Sequence, residues 1–149
     1  MTGPLTPGAG LPPPPTEDVP FTYVAEFLNA APNTVTAFDI AIEADSDFYV
    51  EAITGIASVG NPPSDTSATP FVPALVRFKS SASGSDWSDR AVPWTSYFGR
   101  GDAKDFYPFA YRKPRKLPRN SNVRVEITNL DTTNAIRARI ALHGYKRYV

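Results

Sequence analysis

The chain has 149 residues, with fifteen acids, fifteen bases, one histidine and no cysteine. That length fits one domain around one core, and the missing thiols exclude a disulfide framework, a thiolate nucleophile and any cysteine-containing zinc site. The sole histidine, His143, leaves no material for a multi-histidine metal centre and argues against a Ser-His-Asp triad.

The charges are segregated along the chain. No Lys or Arg occurs before Arg77, so the first 76 residues carry nine acids and no base, and residues 77–149 carry all fifteen bases and six acids. Two separately folded halves would be strongly charged lobes that attract each other. Strands interleaved in one sheet system would instead make acids and bases neighbours, with leftover polarity available for docking copies or partners.

Residues 1–20 hold seven prolines and three glycines and no aromatic side chain. Proline removes amide donors and fixes φ, so this stretch reads as an extended, partly polyproline II arm. It is either a disordered terminus or a tether that lies on a neighbouring subunit, with Pro12, Pro13, Pro14 and Pro15 at its stiffest point.

The body, residues 21–149, is then a single domain of period-two segments. Phe21, Tyr23, Ala25 and Phe27 share one face; Thr36, Phe38, Ile40 and Ile42 share another; Phe48, Val50, Ala52 and Ile56 follow. After a polar loop at 60–70, residues 71–79 are apolar on both phases, with Pro73 favouring a sheet edge. Residues 92–98 and 106–111 read as short aromatic strands, and the basic run after them as a loop. Val123, Val125 and Ile127, then Ile136, Ala138, Ile140 and Leu142, alternate cleanly with polar residues around a turn at 129–134 of hairpin chemistry. About eight short strands with no helical period predict an all-β, antiparallel β-sandwich, with the jelly roll as the leading topology.

Residues 112–119 (RKPRKLPR) concentrate five bases, Arg112, Lys113, Arg115, Lys116 and Arg119. Such a cluster suits an acidic docking surface; the plain alternative is a solvated loop that offsets the acidic half. Nucleic acid is the least favoured partner, because the net charge is zero and the adjacent aromatics have strand spacing. Arg137 and Arg139 face outward from the last strand, as an interface ladder or as cross-strand ion partners of Glu126 on a neighbouring strand. Trp87, Trp94 and Tyr97 could stack on sugar rings or anchor a core. The acids Glu43, Asp45 and Asp47 lack the glycine and downstream Glu of a calcium loop and read as an acidic turn. Asp86 and Asp89 fix no separation that would suit glycoside hydrolysis, and Arg100-Gly101-Asp102 uses ordinary turn residues. No catalytic set, metal site or cofactor site emerges, so the expectation is a protein that is not an enzyme. No apolar run reaches the roughly 18 residues that cross a bilayer, and the N-terminus has no signal-peptide pattern; the expected chain is neither exported nor membrane-anchored.

The segment 117–148, LPRNSNVRVEITNLDTTNAIRARIALHGYKRY, resembles a C-terminal pattern of small structural proteins of tailed bacteriophages. A proline turn leads to a strand with Asn122, Val123, Arg124, Val125, Glu126, Ile127, Thr128 and Asn129, and a last strand ends in Leu142, His143, Gly144, Tyr145 and Lys146. The likeness covers about a fifth of the chain, and the basic run before Leu117 departs from it. It implies a virion protein with a jelly-roll or related sandwich: a capsid cement (decoration) protein, or a component of the neck, tail or head fibres. The implied partners are the major capsid protein and further copies of the chain, as a homodimer or homotrimer, on the capsid exterior after synthesis in the host cytoplasm. A carbohydrate-binding module using Trp87, Trp94 and Tyr97 is the rival reading from another class.

Overall fold

The alternation of apolar and polar residues folds into eight antiparallel strands in a computed structural model, which describes residues 17–64, 67–81, 86–99 and 109–148. They are β1 (Asp18–Ala30), β2 (Val35–Ala41), β3 (Ser46–Gly60), β4 (Ala74–Ser80), β5 (Val92–Pro93), β6 (Phe109–Leu117), β7 (Asn122–Asn129) and β8 (Ala135–Tyr148), with one short helix, α1 (Trp94–Phe98), between β5 and β6. One sheet runs β1-β8-β3-β6 and the other β2-β7-β4-β5. First pairs with last, second with seventh, third with sixth and fourth with fifth, all antiparallel. The chain is thus a long hairpin wound alternately into two sheets. That winding is the jelly roll.

The inner faces fill the space between the sheets. Tyr23, Ala25 and Phe27 of β1 meet Ile136, Ala138, Ile140 and Leu142 of β8 on one side, and Ile40, Val76, Phe78, Val123, Val125 and Ile127 line the other. Burial of these side chains is the main favourable term in folding, at roughly 1.5–3 kcal/mol for each large one. The same winding joins each early strand to a late one and so interleaves the charges. Ion pairs link Asp18 to Arg147 (2.9 Å), Glu26 to Arg139 (3.5 Å), Asp39 to Arg124 (3.8 Å), Glu43 to Lys146 (2.5 Å) and Asp47 to Lys116 (3.8 Å). Exposed pairs are individually weak. Their weight lies in partner choice, because two strands from the same half would oppose like charges.

Several expected boundaries move. The body begins at Asp18, three residues before Phe21: Asp18, Val19 and Pro20 already pair with Arg147, Lys146 and Tyr145. Pro20 is tolerated because β1 lies at a sheet edge. The proposed arm residues 1–16, Pro12 to Pro15 among them, and the tripeptide Arg100-Gly101-Asp102 lie outside the described residues. On β3 the register slips between Val50 and Ala52 against both neighbours. Glu51 therefore acts as a bulge that switches the phase. Ile53 and Ala57 face the core instead of Ala52 and Ile56, and Ile56 is 50% exposed. β4 is no edge strand, since it lies between β7 and β5 and Pro73 precedes it.

The 92–98 segment forms only a two-residue strand before turning into α1. Pro93 supplies φ −54° at the helix entry and Gly99 ends it at φ 65°, where glycine carries no steric cost. Four-residue spacing puts Trp94 and Phe98 on one face, and both are buried. Phe98 packs on Gly55 of β3 so closely that a Cβ there would lie 2.9 Å from the ring. The 129–134 turn is not a hairpin loop: β7 and β8 belong to different sheets, and the turn carries the chain across the sandwich.

Candidate docking surface

The basic run is not a loop. From Phe109 to Leu117 it is strand β6, the edge of the first sheet. Leu117 is buried opposite Phe48, and Lys116 and Arg115 pair with Tyr49 and Val50. The next registered pair is Ala52 with Ala110, so residues 111–114 all lie opposite Glu51 as a bulge, with Tyr111 packed against the core and Arg112, Lys113 and Pro114 exposed. Pro114, which has no amide donor, sits within this bulge at the sheet edge, the positions where a sheet accepts it. Charge alone hid this strand in the sequence. Its signal was Leu117, two positions from Arg115, whose aliphatic stem can cover a core rim.

The five bases therefore divide. Arg115 is half-buried, its guanidinium 4.8 Å from the Trp87 ring centroid and 5.8 Å from that of Tyr111. Lys116 reaches Asp47, whose other oxygen accepts the Arg119 backbone N–H at 3.0 Å. Arg112 and Lys113 are exposed and form no ion pair among the described residues. They are the two bases of β6 that point freely to solvent.

The three aromatics considered for sugar stacking belong to the core, as Trp94 does, or pack against it partly buried, as Trp87 and Tyr97 do. Trp94 is 0% exposed, tilted against Phe98 at 4.5 Å. Trp87 stacks on Phe78 at 4.8 Å and carries Arg115; Tyr97 packs against Phe78, Phe98 and Phe109. No sugar can reach Trp94, and the helix that buries it is what the sequence reading lacked. In the same cluster, burial pushes the Tyr111 hydroxyl up to about 12, with Tyr97 adding to the rise and Arg115 opposing it.

Arg137 and Arg139 do face outward, on the first sheet, but Glu126 is in the other sheet. Arg139 instead reaches Glu26 of β1, while Glu126 takes Arg124 at 3.0 Å and Lys79 at 3.4 Å. Arg137 and Arg139 border a small cleft with Ser58, Ser64 and Ser67. His143 lies between two hydroxyls, Nδ1 3.2 Å from Thr22 Oγ1 and Nε2 2.7 Å from Thr54 Oγ1, and so links three strands across the sheet. The acidic turn does not converge: Glu43 turns to Lys146, Asp45 accepts from the Ser46 hydroxyl, and Asp47 turns to Lys116. Asp86 pairs with Arg77 and Asp89 with Arg90. Among the described residues no three metal-ligating side chains cluster, and no helix is long and apolar enough to cross a membrane.

Asn129 and Gly144 lie in the segment 117–148, but nothing in the sequence shows what they do. Asn129 is fully buried, its Nδ2 donating to the carbonyls of Ala30 and Asn134 and its Oδ1 accepting from Asp131 N–H. Gly144 lies so close to β3 that a Cβ would fall 1.8 Å from the Tyr49 carbonyl oxygen. Both residues close the jelly roll, so this part of the motif serves the fold. Compared with known proteins, the chain matches no family model, no curated protein and no solved structure.

Proposed function

We propose that this chain is a structural protein of a tailed-phage virion, a cement or decoration protein that binds the outside of the head and ties capsid subunits together. The observation that carries this reading is the exposed basic pair Arg112 and Lys113 on an edge strand, where main-chain groups and charge are offered side by side. The jelly roll, an architecture of viral capsid domains, and the likeness of residues 117–148 to phage structural proteins support it. Such a protein acts by burying area: a seam between capsomers opens only if the clamp across it is also lost. Specific interfaces bury about 1,200–2,000 Å². Its partners are the major capsid protein and further copies of itself, and many copies on one lattice gain from multivalency. No bond is made or broken. Virions carrying a C-terminal epitope tag on this chain test the reading by immunogold electron microscopy. Label over the whole head is expected; label at one vertex would move the protein to the neck or tail, and unlabelled virions would overturn the proposal.

A further inference from the structure

The first sheet has an alternation of charge across its strands. β1 carries Asp18 and Glu26 and no base; β8 carries Arg137, Arg139, Lys146 and Arg147 and no acid; β3 carries Asp47 and Glu51; β6 carries Arg112, Lys113, Arg115 and Lys116. Reading acid, base, acid, base, the sheet ends in an acidic edge on one side and a basic edge on the other. Among the described residues no strand pairs with the outer side of either edge. The second sheet offers no comparable pair of edges, because β5 is only two residues long.

We infer that copies of this chain associate head to tail, the β1 edge of one against the β6 edge of the next. Two symmetric alternatives, β1 on β1 or β6 on β6, would bring like charges together, which destabilises a strand pair. Only β1 on β6 continues the alternation. Direction agrees as well. Strands alternate up and down across the four, so a copy displaced by one sheet width presents its β1 antiparallel to β6, as every other neighbour in the sheet is. The stretch of β1 from Phe21 to Phe27 lies between Pro20 and the irregularity before Ala30, and gives a regular edge. Pro114 and the 111–114 bulge restrict the ladder on β6 to short segments, which guards against unlimited pairing in wrong registers. Head-to-tail contacts either close into a ring or propagate. This inference concerns the chain alone and does not rest on the virion reading.

The test uses the purified full chain in analytical ultracentrifugation at about 10–500 μM protein, in low and high salt. The wild type should associate with rising concentration, and less so at about 0.5 M salt, where the Debye length falls to a few ångströms. Two variants divide the edges: Arg112→Glu with Lys113→Glu on β6, and Asp18→Lys with Glu26→Lys on β1, circular dichroism reporting that each is folded. Each variant alone should be monomeric where the wild type associates. Mixed in equal amounts, the two should regain association, because each supplies the charge the other lacks. A wild type that stays monomeric throughout, a single variant that still associates, or a mixture that does not recover would each overturn the inference. Should the Glu variant fail to fold, Arg112→Gln with Lys113→Gln should still weaken association on the order of tenfold; unchanged affinity would overturn it.

Discussion

Lys146 Nζ lies 2.5 Å from Glu43 Oε2 and 3.9 Å from the centroid of the Phe21 ring, so a base from the last strand is roofed by an acid and an aromatic from the first half. Lys146 is only 4% exposed. Burial works against its charge, yet the hydrogen bond it donates to Glu43, helped by Tyr23, outweighs that cost and holds its pKa above the ordinary lysine value. Tyr23 completes the arrangement by accepting the Glu43 backbone N–H at 3.2 Å.

Removing the acid should therefore hurt more than removing the base. Glu43→Gln leaves a covered ammonium with only aromatic faces, and should cost about 1–2 kcal/mol, below the range for fully buried pairs because Glu43 is half-exposed. Lys146→Met keeps the packing over Phe21 and leaves Glu43 to water, and should be close to neutral. Urea unfolding of the two variants checks the order. The linkage sign follows from a raised folded-state pKa: this contribution is complete at neutral pH and is lost only in alkali, above about 10.4 and through the higher folded-state value.

Asn129 is the hinge of the crossover between sheets. Asn129→Ala would strip partners from the Ala30 and Asn134 carbonyls and the Asp131 amide at once. A loss of about 3 kcal/mol is expected, since buried groups left unpaired cost about 1–3 kcal/mol each and some will recover water. Thermal or denaturant unfolding measures it. A change below about 0.5 kcal/mol would remove the side chain from this role.

The parts of the fold legible in the sequence are those set by strand periodicity. Tyr23, Ala25 and Phe27, or Val123, Val125 and Ile127, announce a buried face because each strand is regular where they lie. Glu51 breaks the rule: one inserted residue moves Ile56 from the core to solvent, and nothing in local composition marks it. The turn after Asn129 looks the same whether the next strand pairs back or crosses to the other sheet. That choice is made by long-range partners, β2 and β4 for one strand and β1 and β3 for the other. Residues 94–98 read as strand because helix α1 is five residues long, too short for a helical period to show. The charge split, by contrast, is plain in the sequence, and the jelly-roll pairing of early with late strands is its physical counterpart.

Acid should unfold the protein in a defined window. The hydrogen bond and charge of Arg147 hold the exposed Asp18 carboxyl below its usual range, and the backbone N–H groups of Thr133 and Asn134 do the same for Asp131. For Glu126, burial raises the pKa, but Arg124 and Lys79 together bring it below the usual value. Lowered folded-state values mean that the stabilisation is present above the unfolded pKa and disappears as pH falls through the folded one. Urea midpoints should be flat from neutral pH to about 5 and fall below about 4. Asp131→Asn should flatten that acid limb; an identical slope would show that the carboxylate is not held by the turn.

Gly144 tests the contact between β8 and β3 at the bulge. Gly144→Ala would drive a methyl into the Tyr49 carbonyl, and backbone on both strands would have to shift. A destabilisation of roughly 1–3 kcal/mol is expected, the usual range for overpacking. Gly55→Ala meets only the Phe98 ring, a side chain that can rotate, and should cost less. Equal losses at the two sites would contradict the rigid approach at Tyr49.

The bases of β6 should separate by role. Arg115→Ala removes a guanidinium held over Trp87 and Tyr111 together with the stem that covers them, and should lower stability by about 1–2 kcal/mol. Arg112→Glu with Lys113→Glu should leave the unfolding midpoint of the isolated protein nearly unchanged, because neither side chain has an ion partner among the described residues. Under the proposed cement function the order reverses on shells: the double charge reversal should reduce occupancy several-fold, since rim charges act on encounter and partner choice, while Arg115→Ala, once folded, should bind much as the wild type does. Densitometry of shells sedimented with each variant reads both effects. Full occupancy by the charge-reversed protein would return Arg112 and Lys113 to the status of solvated surface, whatever their position on the edge strand.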